Sequence, residues 1–227
     1  MPAIATSWPV MGPGSNPRFG TPPTPEIREL HALIARLDAV EADLRREQNR
    51  QEQAEVVPRP TPVAESLQPH IDFLKAEATR LQTALQDHID RHPGLRQDRD
   101  RLLSIPAVGE KTAQRWVAVL RSRPFPSADQ ATAFLGLVPI ECPSGSSLHR
   151  RPRLSKAGAP RIRAALYRAA VVATRYNPPI RTWYERLLAR GKAKRAALGA
   201  AMRKLVQLAF GVLKHQKPYQ ADWTPAH

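Results

Sequence analysis

PRIRAALYRAAVVATRYNPPIRTWYERLLARGKAKRAALGAAMRKLVQLAFGVLKH (residues 160–215) decides the fold class. Its apolar residues recur every three or four positions, the period of an amphipathic helix. The first helix is expected from about Pro160 to Tyr176, with Ile162, Leu166, Ala169, Ala170 and Ala173 inward. Asn177-Pro178-Pro179 stops it, because proline cannot continue the hydrogen-bond ladder and disfavours helix in the residue before it. A second helix holds Trp183, Tyr184, Leu187 and Leu188 and is closed by Gly191. A third, over 192–215, turns Leu198, Met202, Leu205, Leu208, Phe210 and Leu213 inward. No alternating strand pattern intervenes, so this half is all-α.

Upstream, Pro25 opens a long helix whose stripe is Ile27, Leu30, Ile34, Leu37 and Leu44. VVPRPTPV interrupts it. Leu67, Ile71, Leu74, Ala78, Leu81, Leu85 and Ile89 then form a second seam of the same period. Two narrow stripes joined by a proline-rich link predict an antiparallel coiled-coil hairpin. LLSIPAVGEKTAQRWVAVL (residues 102–120) resembles a helix-hairpin-helix element. Its tight turn leads into a helix N-terminus whose free amides hold phosphate, with Val108, Gly109, Lys111 and Thr112 in the contact set and Ala107 where glycine is usual. The alternative is a hairpin used only for packing. SADQATAFLGLVP gives a short helix capped by Ser127 and ending at Gly136, and IECPSGSSLHRRPRLS an irregular loop or hairpin. The expected organisation is a Pro/Gly-rich disordered tail at 1–24, the hairpin at 25–97, a compact basic helical domain at 98–217 and a tail at 218–227.

Charge is unevenly placed. The chain has 227 residues and net charge +15, but residues 1–143 carry 17 basic and 18 acidic groups whereas residues 144–227 carry 18 and 2. An excess confined to one half favours a polyanionic partner. One cysteine, Cys142, precludes an intrachain disulfide. The N-terminal stretch lacks a basic leader and is broken by prolines, and no apolar run approaches the roughly twenty residues of a membrane span, so a soluble, cytoplasmic chain is expected. The seven histidines read as dispersed, with no metal-binding pair. The basic half offers only Glu185 and Asp222 as acids, too few to cage Mg²⁺.

What remains is serine chemistry on a phosphodiester. SGSSLHRRPRLSKAGAPRIR (residues 144–163) sets Ser144 before Gly145, followed by Arg150, Arg151, Arg153, Lys156, Arg161 and Arg163, which can grip phosphates while the hydroxyl attacks. Lys192, Lys194 and Arg195 extend the basic set. A plain polar loop is the alternative reading.

The ordered run LLSIPAVGEKTA, AFLGLVP, SG, RLSKAG, RIRAALYRAA, NPPIRTWYERLLARGKAKRAAL and MRKL, over about residues 65–217, resembles the C-terminal domain of the DEDD transposases of the insertion-sequence one-ten, one-sixteen and nine-oh-two group. The resemblance implies a serine nucleophile for strand exchange, best matched by Ser144 with Ser146 and Ser147 as alternates. It also implies DNA as partner, a structured guide RNA in some members and a homodimer through the coiled coil. In that family Mg²⁺ belongs to an N-terminal RuvC-like acidic domain, which nothing ahead of the hairpin matches. The chain is therefore expected to be the serine-bearing part of a recombinase, inactive alone. A non-catalytic nucleic-acid-binding module and a helical scaffold are the competing functions.

Overall fold

The computed structural model describes residues 22–56, 61–140, 143–144, 148–149, 153–155 and 158–220. Eight helices dominate them: α1 Pro25–Val56, α2 Thr61–Arg91, α3 Pro93–Leu103, α4 Glu110–Arg121, α5 Ala128–Phe134, α6 Pro160–Tyr176, α7 Pro178–Ala189 and α8 Lys194–His215. Four two-residue strands lie between α5 and α6: β1 Pro139–Ile140, β2 Pro143–Ser144, β3 Leu148–His149 and β4 Arg153–Leu154. The fold is all-α, as the apolar spacing predicts.

Helices α1 and α2 run antiparallel. Near the link, Gln51 Nε2 donates to Gln68 Oε1 at 2.9 Å, and at the opposite end His88 Nε2 lies 2.9 Å from the Glu26 carbonyl. Both seams close on each other, with Leu30, Leu37, Ile71, Leu85 and Ile89 fully buried. Pro93 ends α2 by forcing His92 out of helix (φ −111°, ψ 97°). The hairpin is not isolated, because one cluster of buried side chains continues from α1 through α4 to α8. Burying each large aliphatic residue contributes about 1.5–3 kcal/mol, so this shared cluster is the main stabilising term.

Local punctuation explains the other boundaries. Ser127 caps α5 by accepting from the Gln130 amide at 3.3 Å. Gly136 (φ 70°) closes it, with its N–H donating to Ala133 O and that of Leu137 to Thr132 O. Gly191 (φ 77°) ends α7 in the same way, through Gly191 N–H to Leu188 O and Lys192 N–H to Leu187 O. Both ends are Schellman motifs, where a left-handed residue suits glycine. Asn177, wholly buried, ends α6 and accepts from the Ile180 amide to start α7, while its Nδ2 reaches the Pro106 carbonyl at 3.4 Å. The NPP break thus also ties the basic helices to the α3–α4 turn.

In α7 Ile180 takes the core position, in the helix phase that the Asn177 cap sets, and Trp183 is 39% exposed. Two sequence expectations shift. Tyr219 falls in the stretch read as a tail, yet it packs against the core and its N–H donates to Ser104 Oγ at 2.7 Å. Finally, α8 is long and apolar enough by length and composition to cross a membrane, with 61% of its apolar window buried among the other helices, as in a core helix. The expectations for 1–21 and 221–227 fall outside the described residues.

Candidate nucleic-acid interface

Helices α3 and α4 are joined by a turn in which Val108 N–H donates to Ile105 O at 3.0 Å across Pro106 and Ala107. Ala107 has φ 82°, the left-handed value that position i+2 of a type II turn demands. Gly109 is instead extended (φ −92°, ψ 170°), with open space where a Cβ would stand. The glycine-requiring conformation therefore falls on an alanine, two residues before the glycine that sequence placed in the tight turn.

Val108, expected at the phosphate, is buried, and its amide is consumed in the turn, so it props the turn from the core side. Thr112 donates its amide to Gly109 O at 2.9 Å. Gly109 and Lys111 are exposed, and the first amides of α4 have no preceding helical carbonyl. Lys111 Nζ, however, pairs with Glu41 at 2.7 Å, and Arg115 pairs with Asp38. Arg161, at the start of α6, lies 3.8 Å from the other oxygen of Asp38. The acids of α1 thus reach three cations, one being Arg115, which sequence reasoning left out.

The basic segment is built on nested antiparallel pairs. Pro139 faces Leu154 and Ile140 faces Arg153, while farther out Pro143 faces His149 and Ser144 faces Leu148. Ser155 N–H donates to Val138 O at 2.9 Å at the base. The expected irregular hairpin is present in the backbone, and Ser144 occupies its outer pair. Ser146, Ser147, Arg150, Arg151 and Lys156 lie outside the described residues. Where the chain returns to the helices, Gly158 has φ 82°, and a Cβ there would stand 2.4 Å from the Phe134 carbonyl oxygen. Arg163 Nη1 donates to the Gly158 carbonyl at 2.7 Å. The hairpin's return strand is therefore clamped between the end of α5 and the start of α6.

Beside the hairpin base opens a groove of about 820 Å³, walled by Pro139 and Leu154, by Trp183 of α7, and by the α7–α8 turn and first turns of α8. It gathers Lys192 and Arg195 from the sequence-predicted set and adds Arg203 and Lys204. Lys194 is exposed at the start of α8 without lining it. Arg203 is held by Asp129 at 2.9 Å, and this guanidinium, with Gln207 beside it, holds the Asp129 carboxyl below its ordinary range. No carboxylate among the described residues pairs with Lys192, Arg195 or Lys204. Arg203 and Lys204 escaped sequence reasoning because α8 reads as a core helix; their i, i+1 placement beside buried Met202 and Leu205 is the signal that the groove-facing edge is basic.

Among the described residues, no three His, Cys, Asp or Glu are grouped to hold a metal ion, so these residues do not by themselves form a Mg²⁺ site. The histidines are less dispersed than the sequence reading has them. His88 and His92 stand one turn apart with ring centroids 4.5 Å from each other, and His88 Nδ1 lies 3.6 Å from Glu29. These rings join α2 to the start of α1 and lie in the hairpin, outside the groove.

The chain is thus all-α and lopsidedly basic, with a strand hairpin beside a cationic groove, and it is similar to known proteins over much of its length. Residues 99–185 match the family described as Transposase IS116/IS110/IS902 family. Across 211 residues the chain is 27% identical to the Pilin gene-inverting protein of Moraxella bovis and 26% identical to that of Moraxella lacunata, covering 92% of this chain and 64% of each relative. It is 31% identical over 121 residues to the Insertion element IS110 uncharacterized 43.6 kDa protein of Streptomyces coelicolor, covering 53% of this chain and 30% of that protein. The chain thus spans less than two thirds of these relatives.

Proposed function

We propose that the chain is the DNA-binding and strand-transfer part of a transposase or recombinase, working in the cytoplasm. The observation that carries this reading is the coincidence of the transposase domain at residues 99–185 with the onset, at Ser144, of the half that holds 18 basic and 2 acidic residues.

DNA is held first by charge. Lys192, Lys194, Arg195 and Lys204, with Arg150, Arg151, Arg153 and Lys156 of the hairpin segment and Arg161 and Arg163 of α6, neutralise phosphates without reading sequence. The α4 N-terminus, with Gly109, Lys111 and Thr112, adds a phosphate contact once Lys111 exchanges Glu41 for DNA. The Ser144 hydroxyl then attacks a scissile phosphodiester. Its Oγ–P bond forms as one ester P–O bond breaks, and the leaving oxygen receives the proton the hydroxyl gives up. Phosphoester bonds are conserved in number, so the exchange is reversible without external energy. The following guanidinium groups offset the charge developing on phosphorus oxygens. No step is routed through a metal on these residues; by family resemblance, Mg²⁺ is supplied by a RuvC-like acidic domain acting with this one, in some members with a structured RNA. The α1–α2 hairpin pairs two copies through its outer face, where Phe73 is 62% exposed.

Binding to duplex DNA should weaken steeply as salt rises, by about 10³–10⁵ between 50 and 200 mM if six to ten phosphates are contacted. Arg150, Arg151 and Arg153 changed together to Ala should flatten that slope. With the RuvC-like domain of a full-length relative supplied, a serine-linked DNA adduct should accumulate and vanish in Ser144→Ala while affinity persists. Salt-independent binding would sink the electrostatic part of the reading, and an adduct surviving in Ser144→Ala would move the nucleophile elsewhere.

A further inference from the structure

Trp183 is the one groove-lining residue that neither a packing role nor phosphate neutralisation accounts for. A tryptophan is usually well buried, and in α7 the core position belongs to Ile180. Trp183 instead stands 39% exposed in the lining of the 820 Å³ groove, which it shares with the apolar Pro139 and Leu154 and with the cations Lys192, Arg195 and Lys204. The volume suits a ligand of one or two nucleotides rather than a duplex, since pockets for small ligands span about 300–1,000 Å³. Gly199 lets Leu154 lie close against α8, since a Cβ there would meet the Leu154 side chain at 3.4 Å.

We propose that this groove binds an unpaired nucleotide, its base against the face of Trp183 and its flanking phosphates on Lys192, Arg195 and Lys204. The chemistry of an extruded base, a flat π-surface between two anionic phosphates, matches an aromatic face set among cations with no described carboxylate to oppose them. Single-strand-binding sites use this combination of stacking platform and basic track. The site's place sharpens the idea. Leu154 and Pro139 form the base pair of the strand hairpin whose outer pair contains Ser144. A strand end held in the groove is therefore tethered to the element that bears the nucleophile, and the protein would favour DNA already opened near the exchange point. This inference rests on the strand-transfer reading above and names the part of its substrate that the groove takes.

The test compares affinity for a fully paired duplex with that for the same duplex carrying a four-nucleotide single-stranded gap, by fluorescence anisotropy at fixed salt. A 2-aminopurine in the gap reports stacking. Wild type should prefer the gapped DNA and quench the probe. Trp183→Ala should lose roughly 5- to 150-fold of that preference and the quenching, while Trp183→Phe keeps most of both. Lys192→Ala with Arg195→Ala should weaken binding of the gapped form more than the paired one. A gap made of ribonucleotides, bound equally well, would assign the site to unpaired strands of either sugar; weaker binding would assign it to DNA, and both results support the stacking site. Circular dichroism of each variant checks folding, and should Trp183→Ala unfold, Trp183→Phe against Trp183→Leu carries the comparison. Gap preference and quenching unchanged without an aromatic ring would overturn the proposal. Loss of salt-dependent duplex binding in wild type would overturn the functional reading itself, so the two failures are distinguishable.

Discussion

Gly158→Ala probes the clamp beneath the strand hairpin. Two costs act together. At φ 82° an alanine pays about 1–2 kcal/mol for left-handed backbone. Its Cβ would also stand 2.4 Å from the Phe134 carbonyl oxygen, which is backbone and cannot rotate away. Relieving that overlap means moving the end of α5 or the start of α6, about 1–3 kcal/mol for an overpacked site. Alanine returns part of this, about 0.4–1 kcal/mol, by restricting the unfolded chain. The net loss is about 3 kcal/mol, a large share of the 5–15 kcal/mol that holds a domain together. For a chain of this size it should lower the melting temperature by about 6–12 °C, read by circular dichroism. DNA affinity per folded molecule should also fall, because the return strand and Arg163, whose guanidinium holds the Gly158 carbonyl, shift together. Gly199→Ala is the control, since its Cβ would meet only the Leu154 side chain at 3.4 Å and alanine favours helix. Equal melting temperatures for Gly158→Ala and wild type would refute the reasoning, since neither cost could then be real.

Three further outcomes follow from the same geometry. Ala107→Gly should stabilise by about 0.5–1 kcal/mol, because glycine accepts φ 82° freely and only its unfolded-state entropy opposes the gain; a lowered urea midpoint would show that the turn is not left-handed. Asp98, 3% exposed, accepts from Arg121 at 2.5 and 2.9 Å and from Gln216 at 3.2 Å, so Asp98→Ala should cost about 2 kcal/mol in urea unfolding, Arg121 being exposed enough to recover water. Burial pushes the half-buried His31 imidazole below its ordinary value despite a hydrogen bond from its ring to the Ala118 backbone. Its contribution is complete above about pH 6.5 and is lost as pH falls through the lower folded value, because the unfolded chain takes the proton first. His31→Gln should flatten stability between pH 7 and 5, and an unaltered pH profile would exclude His31 as its source.

Helix ends were legible in the sequence because their signals are local. Pro160, the Asn177-Pro178-Pro179 break, Ser127, Gly136 and Gly191 each act on the backbone within a turn of themselves, and all stand where the spacing put them. The two hairpin seams were legible for the same reason, since periodicity marks the buried face. What that face meets was not. The pairing of Asp38 and Glu41 with Arg115 and Lys111 joins residues some seventy positions apart, and no spacing rule reports it. Lys111 therefore read as a free phosphate contact. Val108 shows a subtler limit, because a residue flanking a turn can point to either side, and only the Val108–Ile105 hydrogen bond decides which. His88 and His92 were overlooked although their i, i+4 spacing is in the sequence; what brings the rings together is simply one turn of α2.

The acids of α1 have an effect beyond the pairs they make. By engaging Lys111, Arg115 and Arg161 they quench the positive field on the hairpin side of the molecule, while Lys192, Arg195 and Lys204 are left unopposed by any described carboxylate on the groove side. On the DNA-binding reading proposed above, this unequal pairing turns the chain as it approaches a polyanion so that Lys192, Arg195 and Lys204 lead, and long-range torque does part of the docking that short-range contacts would otherwise have to find by collision.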